Sequence, residues 1–323
     1  MTCSEFDLIR HFFTEQSIRR TDVPLGIGDD AALLSPPADS LLAVSVDTLI
    51  AGIHFPLDTI ARAVGYKALA VNLSDLAAMG AEPAWATLAL TLPRADTSWL
   101  SDFAQGFFEL ASTHNVQLVG GDTTRGPLSI TVQVTGFVSQ EQALLRNGAQ
   151  PGDGIFLTGT VGDAGLGLRL YQQPSDTHCD ATMHLIHRLE FPTPRIAVGL
   201  ALRGRASSAI DISDGLAADL GHVLTASGVG ADIHVDQLPL SSAYRLLAPE
   251  NNWQTAVSAG DDYELCFTLP AGLETEVLAR LDCPCTRIGE ITASPGLRWR
   301  DANDQQLALD NAGFDHFTSR KPQ

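Results

Sequence analysis

An α/β fold in two domains is what this sequence specifies, and chain length, alternating patterns and one polar break specify it. The chain has 323 residues, beyond the size at which a single core keeps growing and enough for two ordinary domains. Strand-like and helix-like patterns alternate between Leu41 and Val138, and they resume after a polar stretch, SQEQALLRNGAQPGDG, from Ser139 to Gly154. The stretch closes in a Pro-Gly-Asp-Gly turn. The expected domains are therefore residues 1–138 and 139–323.

Leu41 to Asp47 reads as a strand. Thr59 to Met79 is rich in helix formers and sets Ile60, Val64, Ala68 and Val71 at helical spacing. Trp85 to Leu92 is a second strand, and Thr97 is the expected N-cap of a helix whose apolar face is Leu100, Phe103, Phe107, Leu110 and Ala111. Val116 to Val119 and Ser129 to Val138 complete this half. The last of these, SITVQVTGFV, alternates, which predicts a sheet with one covered face and another that meets water or a partner. In the second half Gly154 to Thr158 is a strand, and glycine-bearing helices run to about Gly204. Ala209 to Ile212 is an apolar strand, and Asp214 is expected to start a helix reaching about Ser227. ADIHVD and YELCFTL are strands, and Leu297 to Leu309 is a terminal hairpin around Asp301 to Asp304.

Composition narrows the function. Hydrophobic residues make up 45% of the chain and mean hydropathy is +0.07, as in a globular protein rather than a disordered one. Asp+Glu total 38 against 20 Lys+Arg, a net charge of −18, which repels nucleic acid and anionic membranes. The five cysteines contain no CxxC pair and are odd in number, so a disulfide framework is not expected and a reducing cytoplasm is the default. The start, MTCSEFDLIRHFF, has no basic segment before an apolar one. The most apolar long stretch, Leu76 to Leu92, is broken by Glu82 and Pro83, which argues against a membrane span.

Six acidic positions stand at the ends of apolar runs or in glycine turns: GIGDD with Asp30, VSVDT with Asp47, NLSDL with Asp75, VGGDTTRG with Asp122, and IDISDG with Asp211 and Asp214. Carboxylates that meet without a cation repel, by about 4 kcal/mol at 4 Å in an effective dielectric near 20. Oxygen-only donors therefore point to hard divalent cations, and Mg²⁺ shared with substrate phosphates fits best. Ser45 and Asp47 share a strand face. Asp75 lies in a mostly apolar helix, where a carboxylate needs a partner. Gly120 and Gly121 follow a strand and are expected to form a turn whose amides can cradle phosphate beside Asp122, although no Walker A sequence occurs. Helix capping explains Asp214 as well as catalysis does, but it does not explain Asp211. Arg146 lies near the domain boundary, within reach of an anion.

The ordered set GIGDDAAL, VDTLIAGIHF, YKALAVNLSDLAAMGAEP, VGGDTTRGPLSI, LLRNGAQPGD and IDISDGLAADL resembles the thiamine-monophosphate kinase family over nearly the whole chain. The resemblance implies a fold similar to aminoimidazole ribonucleotide synthetase, with an N-terminal nucleotide-binding domain whose sheet pairs with its copy in a homodimer, and a C-terminal α/β domain. It implies transfer of the γ-phosphoryl group of ATP to thiamine monophosphate with several Mg²⁺ ions. Position by position it makes Asp30, Ser45, Val46, Asp47, Asp75, Asp122, Asp211 and Asp214 metal ligands, and Gly121, Asp122, Arg146 and Ser213 ATP contacts. His54, Asp261 and Phe314 become thiamine monophosphate contacts, and no side chain is expected to act as nucleophile or base. Where the family commonly has threonine stands Val46, which can offer only its backbone carbonyl. Asp261 replaces a glutamate, and Phe314 replaces a tyrosine or tryptophan of some members. Selenophosphate synthetase and the ribonucleotide synthetase would share these carboxylates, and a nucleotide-sensing dimer would share them without turnover. The former usually carries a reactive cysteine or selenocysteine in its N-terminal part, and none lies between Cys3 and Cys179.

Overall fold

The computed structural model describes residues 5–16, 19–172, 179–249, 253–310 and 313. Contacts divide the chain into two compact units, Met1–Ala143 and Leu144–Gln323. The division lies inside the polar stretch.

The first unit opens with α1 (Glu5–Ile9) and a π-helical turn (Arg10–Thr14). It continues with β1 (Leu41–Ile50), α2 (Ala61–Ala78), β2 (Glu82–Leu92), α3 (Thr97–Thr113), β3 (Gln117–Arg125) and β4 (Ser129–Val138). The strands form a sheet in the order β1-β4-β2-β3, antiparallel except for the β2–β3 pair. Helix α2 packs on β1, β2, β4 and α3. The two helices meet through glycines. A Cβ on Gly65 would lie 2.0 Å from the Phe103 carbonyl oxygen, and one on Gly106 1.9 Å from that of Arg62, so only hydrogen fits at either crossing. On the opposite face Trp85 and Phe137 pack against Val23, Ala32 and Leu34. Asp22 accepts from Trp85 Nε1 at 3.1 Å, and Arg20 beside it holds the Asp22 carboxyl below its ordinary pKa.

Two expectations need correction here. The cap of α3 is Asp96, whose side chain accepts from Trp99 N–H at 3.2 Å; Thr97 is the first helical residue, because a carboxylate one position earlier already takes the free N–H. Gly120 and Gly121 lie inside β3 rather than in a turn after it. A register slip opposite Ala86 and Thr87 leaves Val119 unpaired, and this bulge lets the strand run on through Asp122. Gly121 has φ 156°, and a Cβ there would lie 1.9 Å from the Leu88 carbonyl oxygen.

The second unit begins with β5 (Gly154–Thr158), α4 (Asp163–Gln172), α5 (Asp180–Glu190), α6 (Ile196–Leu202), β6 (Ser208–Asp211) and α7 (Leu216–Ser227). After these come β7 (Gly230–His234), α8 (Ser242–Leu247), α9 (Trp253–Ser258), β8 (Leu265–Leu269), α10 (Glu274–Leu278), β9 (Cys285–Thr292), β10 (Gly296–Arg300) and β11 (Gln306–Leu307). The sheet order is β11-β10-β7-β9-β5-β8-β6. Its core joins Ile155 and Leu157 of β5, Ile210, Leu220 and Val223 around α7, and Ile288 and Ile291 of β9. The terminal hairpin forms as expected, and Asp301 Oδ1 accepts from Asn303 N–H at 2.9 Å and Gln305 N–H at 2.8 Å to shape its turn. The strand expected from Tyr263 starts only at Leu265, since Asp261 and Tyr263 have φ 69° and 50°. Left-handed residues do not fit a pleated ladder. Helix α7 starts at Leu216, behind Gly215 at φ 115°, so Asp214 stands in the turn before it.

Candidate active site

In the first unit the polar residues of β1 face inward. Val44 and Val46 are 60% and 58% exposed, while Ser45 and Asp47 are half-buried. Helix α2 makes this inversion possible by presenting polar groups to them. Ser45 Oγ donates to Asp75 Oδ2 at 2.5 Å, which supplies the partner that Asp75 needed. Asn72, fully buried, accepts the Asp47 backbone N–H at 3.0 Å and donates to the Ala68 carbonyl at 3.0 Å. His54 lies in the turn after β1, where its Nδ1 accepts from Ile50 N–H at 2.9 Å; the ring proton of the neutral form is therefore on Nε2.

Asp30 and Asp122 line a second place, a cleft of about 570 Å³ bordered by Ile27, Asp29, Leu118 and the Gly120–Gly121 backbone. Asp30 N–H is held by Asp29 Oδ1 at 2.8 Å. The sheet separates the two places. Asp47 shares its cross-strand row with Val132, Leu88 and Gly121, whereas Asp122 belongs to the next row, with Ala89 and Thr131. Adjacent rows point to opposite faces, and three interstrand steps span about 14 Å. A single ion touches oxygens at about 2.1 Å. Within one chain it reaches only one of these two carboxylates.

In the second unit the segments carrying Asp211 and Asp261 run side by side. Ile212 N–H donates to the Glu264 carbonyl at 2.8 Å, Tyr263 N–H to that of Ile212 at 2.8 Å, and Asp261 N–H to that of Ser213 at 2.9 Å. Asp211 is buried at the end of β6, and Ser213 and Asp214 are half-buried. Tyr263 donates its hydroxyl to Asp261 Oδ1 at 3.1 Å. Behind this turn Glu264 takes both Arg195 Nε and Nη2 at 2.6 Å and Arg188 Nη2 at 2.8 Å. Asp262 accepts from Gly162 N–H at 2.7 Å. Arg146 is exposed, in a loop hung on Ser227: the Gly148 and Ala149 N–H groups donate to Ser227 Oγ at 3.2 Å, and that hydroxyl donates to the Arg146 carbonyl at 3.3 Å. Phe314 lies outside the described residues.

Three polar residues with structural roles at these places escaped sequence reasoning: Asn72, Tyr263 and Asp219. Asp219 is buried in the first turn of α7, and its Oδ2 accepts the N–H groups of Ser213, Asp214 and Gly215 at 3.0, 3.1 and 3.1 Å. Burial, with the charge of Asp214 added, pushes its carboxyl up to about 7. Each of the three sits inside a motif already singled out, and buried polarity there was the available signal.

The donors are hydroxyl and carboxylate oxygens, the set that suits a hard cation. Among the described residues no three His, Cys, Asp or Glu side chains converge closely enough to hold a metal ion. An ion here would complete its shell with the Ser45 hydroxyl, backbone carbonyls or phosphate oxygens, which is how Mg²⁺ is ordinarily held. The residues fit that cation. Among the described residues no helix is long and apolar enough to cross a membrane.

Comparison with known proteins places this architecture. A family model described as AIR synthase related protein, N-terminal domain, matches residues 28–138, and its C-terminal counterpart matches residues 150–301. Two such domains in one chain define a protein of the AIR synthase-related fold. The thiamine-monophosphate kinase of Escherichia coli strain K12 is 51% identical over 328 residues, spanning 99% of this chain and all of the relative. The crystal structure of thiamine-monophosphate kinase from Stenotrophomonas maltophilia K279a superposes with a TM-score of 0.83 at 50% identity, covering 87% of this chain and 92% of that one. A structure described as AaThiL complexed with AMPPCP and TMP has a TM-score of 0.78 at 32% identity, covering 90% of this chain and 92% of that one. The chain belongs to the thiamine-monophosphate kinases and is an enzyme of that family.

Proposed function

We propose that the protein transfers the γ-phosphoryl group of ATP directly to the phosphate of thiamine monophosphate, giving thiamine diphosphate and ADP. The Ser45–Asp75 contact carries this reading. A hydroxyl and a carboxylate are kept together at 2.5 Å under a strand that exposes its valines instead, in a chain half identical to kinases of this name. A relative binds an ATP analogue and TMP. An acceptor phosphate oxygen attacks the γ-phosphorus as the bond to the β-phosphate oxygen breaks. The acceptor is already ionised near neutral pH, so no strong base is needed, and positioning with charge neutralisation supplies most of the catalysis.

Asp30, Ser45, the Val46 carbonyl, Asp47, Asp75 and Asp122 are assigned to Mg²⁺ in the first unit, and Asp211 and Asp214 in the second. When bound, Mg²⁺ supplies neutralisation of the negative charge between two polyanions. Gly121 and Asp122, which line the cleft of the first unit, are assigned to ATP, as are Arg146 and Ser213. His54 and Asp261 orient the acceptor, and Phe314 stacks on its ring.

The exposed apolar stripe of Leu42, Val44, Val46 and Ile50 supports a homodimer that covers this face. With Asp47 and Asp122 on opposite faces of one sheet, the pair serves either separate ions along a polyphosphate or one ion completed by the second copy. Turnover of thiamine monophosphate with ATP and graded Mg²⁺ tests the reading, with free thiamine as control. Asp75→Asn removes charge at nearly constant volume, and activity should fall at least about 100-fold with the fold intact. Equal use of free thiamine, or near-normal activity of Asp75→Asn at every Mg²⁺ level, sinks it.

A further inference from the structure

We propose that Asp219 is a positioning residue that aligns the Ser213–Gly215 turn and, through it, Asp261. The inference rests on the reading of Ser213 as an ATP contact and Asp261 as an acceptor contact. It begins with a coordination that capping alone does not require. Asp219 is 3% exposed, and a single carboxylate oxygen takes three consecutive backbone N–H groups at 3.0 to 3.1 Å. The cap position of α7 is occupied by Gly215. Asp219 lies one turn further on and reaches back to residues before the helix, so what it orders is the turn that carries the site.

The same turn is held from its other side. The Ser213 carbonyl accepts the Asp261 N–H at 2.9 Å, so Ser213 is fixed through its N–H by Asp219 and through its carbonyl by Asp261. Little space is left for an alternative. A Cβ on Gly260 would lie 2.0 Å from the Ser213 carbonyl oxygen, and one on Gly215 2.9 Å from the Ser258 carbonyl carbon. Asp261 in turn is braced at its carboxylate by the Tyr263 hydroxyl. One buried carboxylate thereby sets the relative placement of a nucleotide contact and an acceptor contact.

The test uses the full chain with ATP, thiamine monophosphate and Mg²⁺, together with hydrogen exchange at the amides of 213–215 and 261. Removing all three bonds in Asp219→Ala should raise the KM for both substrates about tenfold and lower protection at those four amides. Asp219→Asn keeps an acceptor oxygen in place and should stay within about threefold of the parent for both KM values. Where Asp219→Ala does not accumulate, Asp219→Ser, too short to reach the turn, carries the same expectation. A lowered melting temperature with unchanged KM values and retained protection overturns the anchor. Lost protection with both KM values unchanged overturns the proposal through its reading of Ser213 and Asp261 as contacts. A KM rise beyond about threefold in Asp219→Asn with protection retained assigns the effect to the charge and overturns a role through hydrogen bonds.

Discussion

Asp261 holds its carboxylate against Tyr263 from a backbone with φ 69°. Aspartate and asparagine visit the left-handed region more readily than longer residues, because a short polar side chain can bond locally. The resemblance gives glutamate as the family's usual residue here, and glutamate lacks that local relief. Asp261→Glu should therefore retain use of thiamine monophosphate while losing about 1 kcal/mol of stability, read by urea unfolding beside steady-state kinetics. Unchanged stability would show that the turn relaxes around the longer side chain. The need of Asp75 for a partner was legible in the sequence because its neighbours in the helix are apolar. That the partner is Ser45 was not, since thirty positions of chain separate residues that only the sheet brings together. Asn72 and Asp219 hid for the same reason: their partners are backbone groups, which leave no mark on the side-chain pattern.

Secondary elements carry their own constraint at the crossing of α2 and α3. Alanine ordinarily favours a helix over glycine by about 1 kcal/mol, so Gly65 and Gly106 look like weak points in their helices. The crossing reverses the sign. A methyl group at either site meets a carbonyl oxygen of the other helix at 2.0 or 1.9 Å, and backbone cannot turn aside as a side chain does. Gly65→Ala and Gly106→Ala should each destabilise by about 1–3 kcal/mol, measured by chemical denaturation, and a stabilised variant would mean that the helices separate without cost. Periodicity located both helices from sequence, but not the side from which they meet. Strand β9 escaped notice because CTRIGEIT mixes charge with apolar residues, although it lies at the centre of its sheet between β5 and β7. The extent of β3 was hidden too, since two glycines signal a turn unless a bulge keeps the strand going.

The pH response of the whole molecule should carry the signature of Asp262. Burial pushes its carboxyl well above the usual range, outweighing the Gly162 N–H and the Arg188 guanidinium that favour the charge, while Asp163 and Glu264 add repulsion. A pKa raised by folding means that the native state binds the proton more tightly than the unfolded chain. The contribution is fully present below the ordinary aspartate value, near 3.9, and is lost as pH rises through the folded pKa. Asp262→Asn keeps the acceptor for Gly162 and removes the titration. Its unfolding free energy, compared with the parent from pH 4 upward, should fall less steeply; parallel curves would show that Asp262 stays charged in the native state.

Asn72 has a consequence for how such molecules meet. Strand β1 is the outer strand of its sheet, and its Asp47 N–H, instead of waiting for another strand, is occupied by a fully buried asparagine from α2. An open edge invites another strand to zip on, the route by which sheets propagate into aggregates. At this residue the route is closed from within by a side chain that solvent cannot compete away, even though Val44 and Val46 beside it are sticky. A strand approaching the rim at this point therefore finds its first backbone donor already taken by the helix beneath.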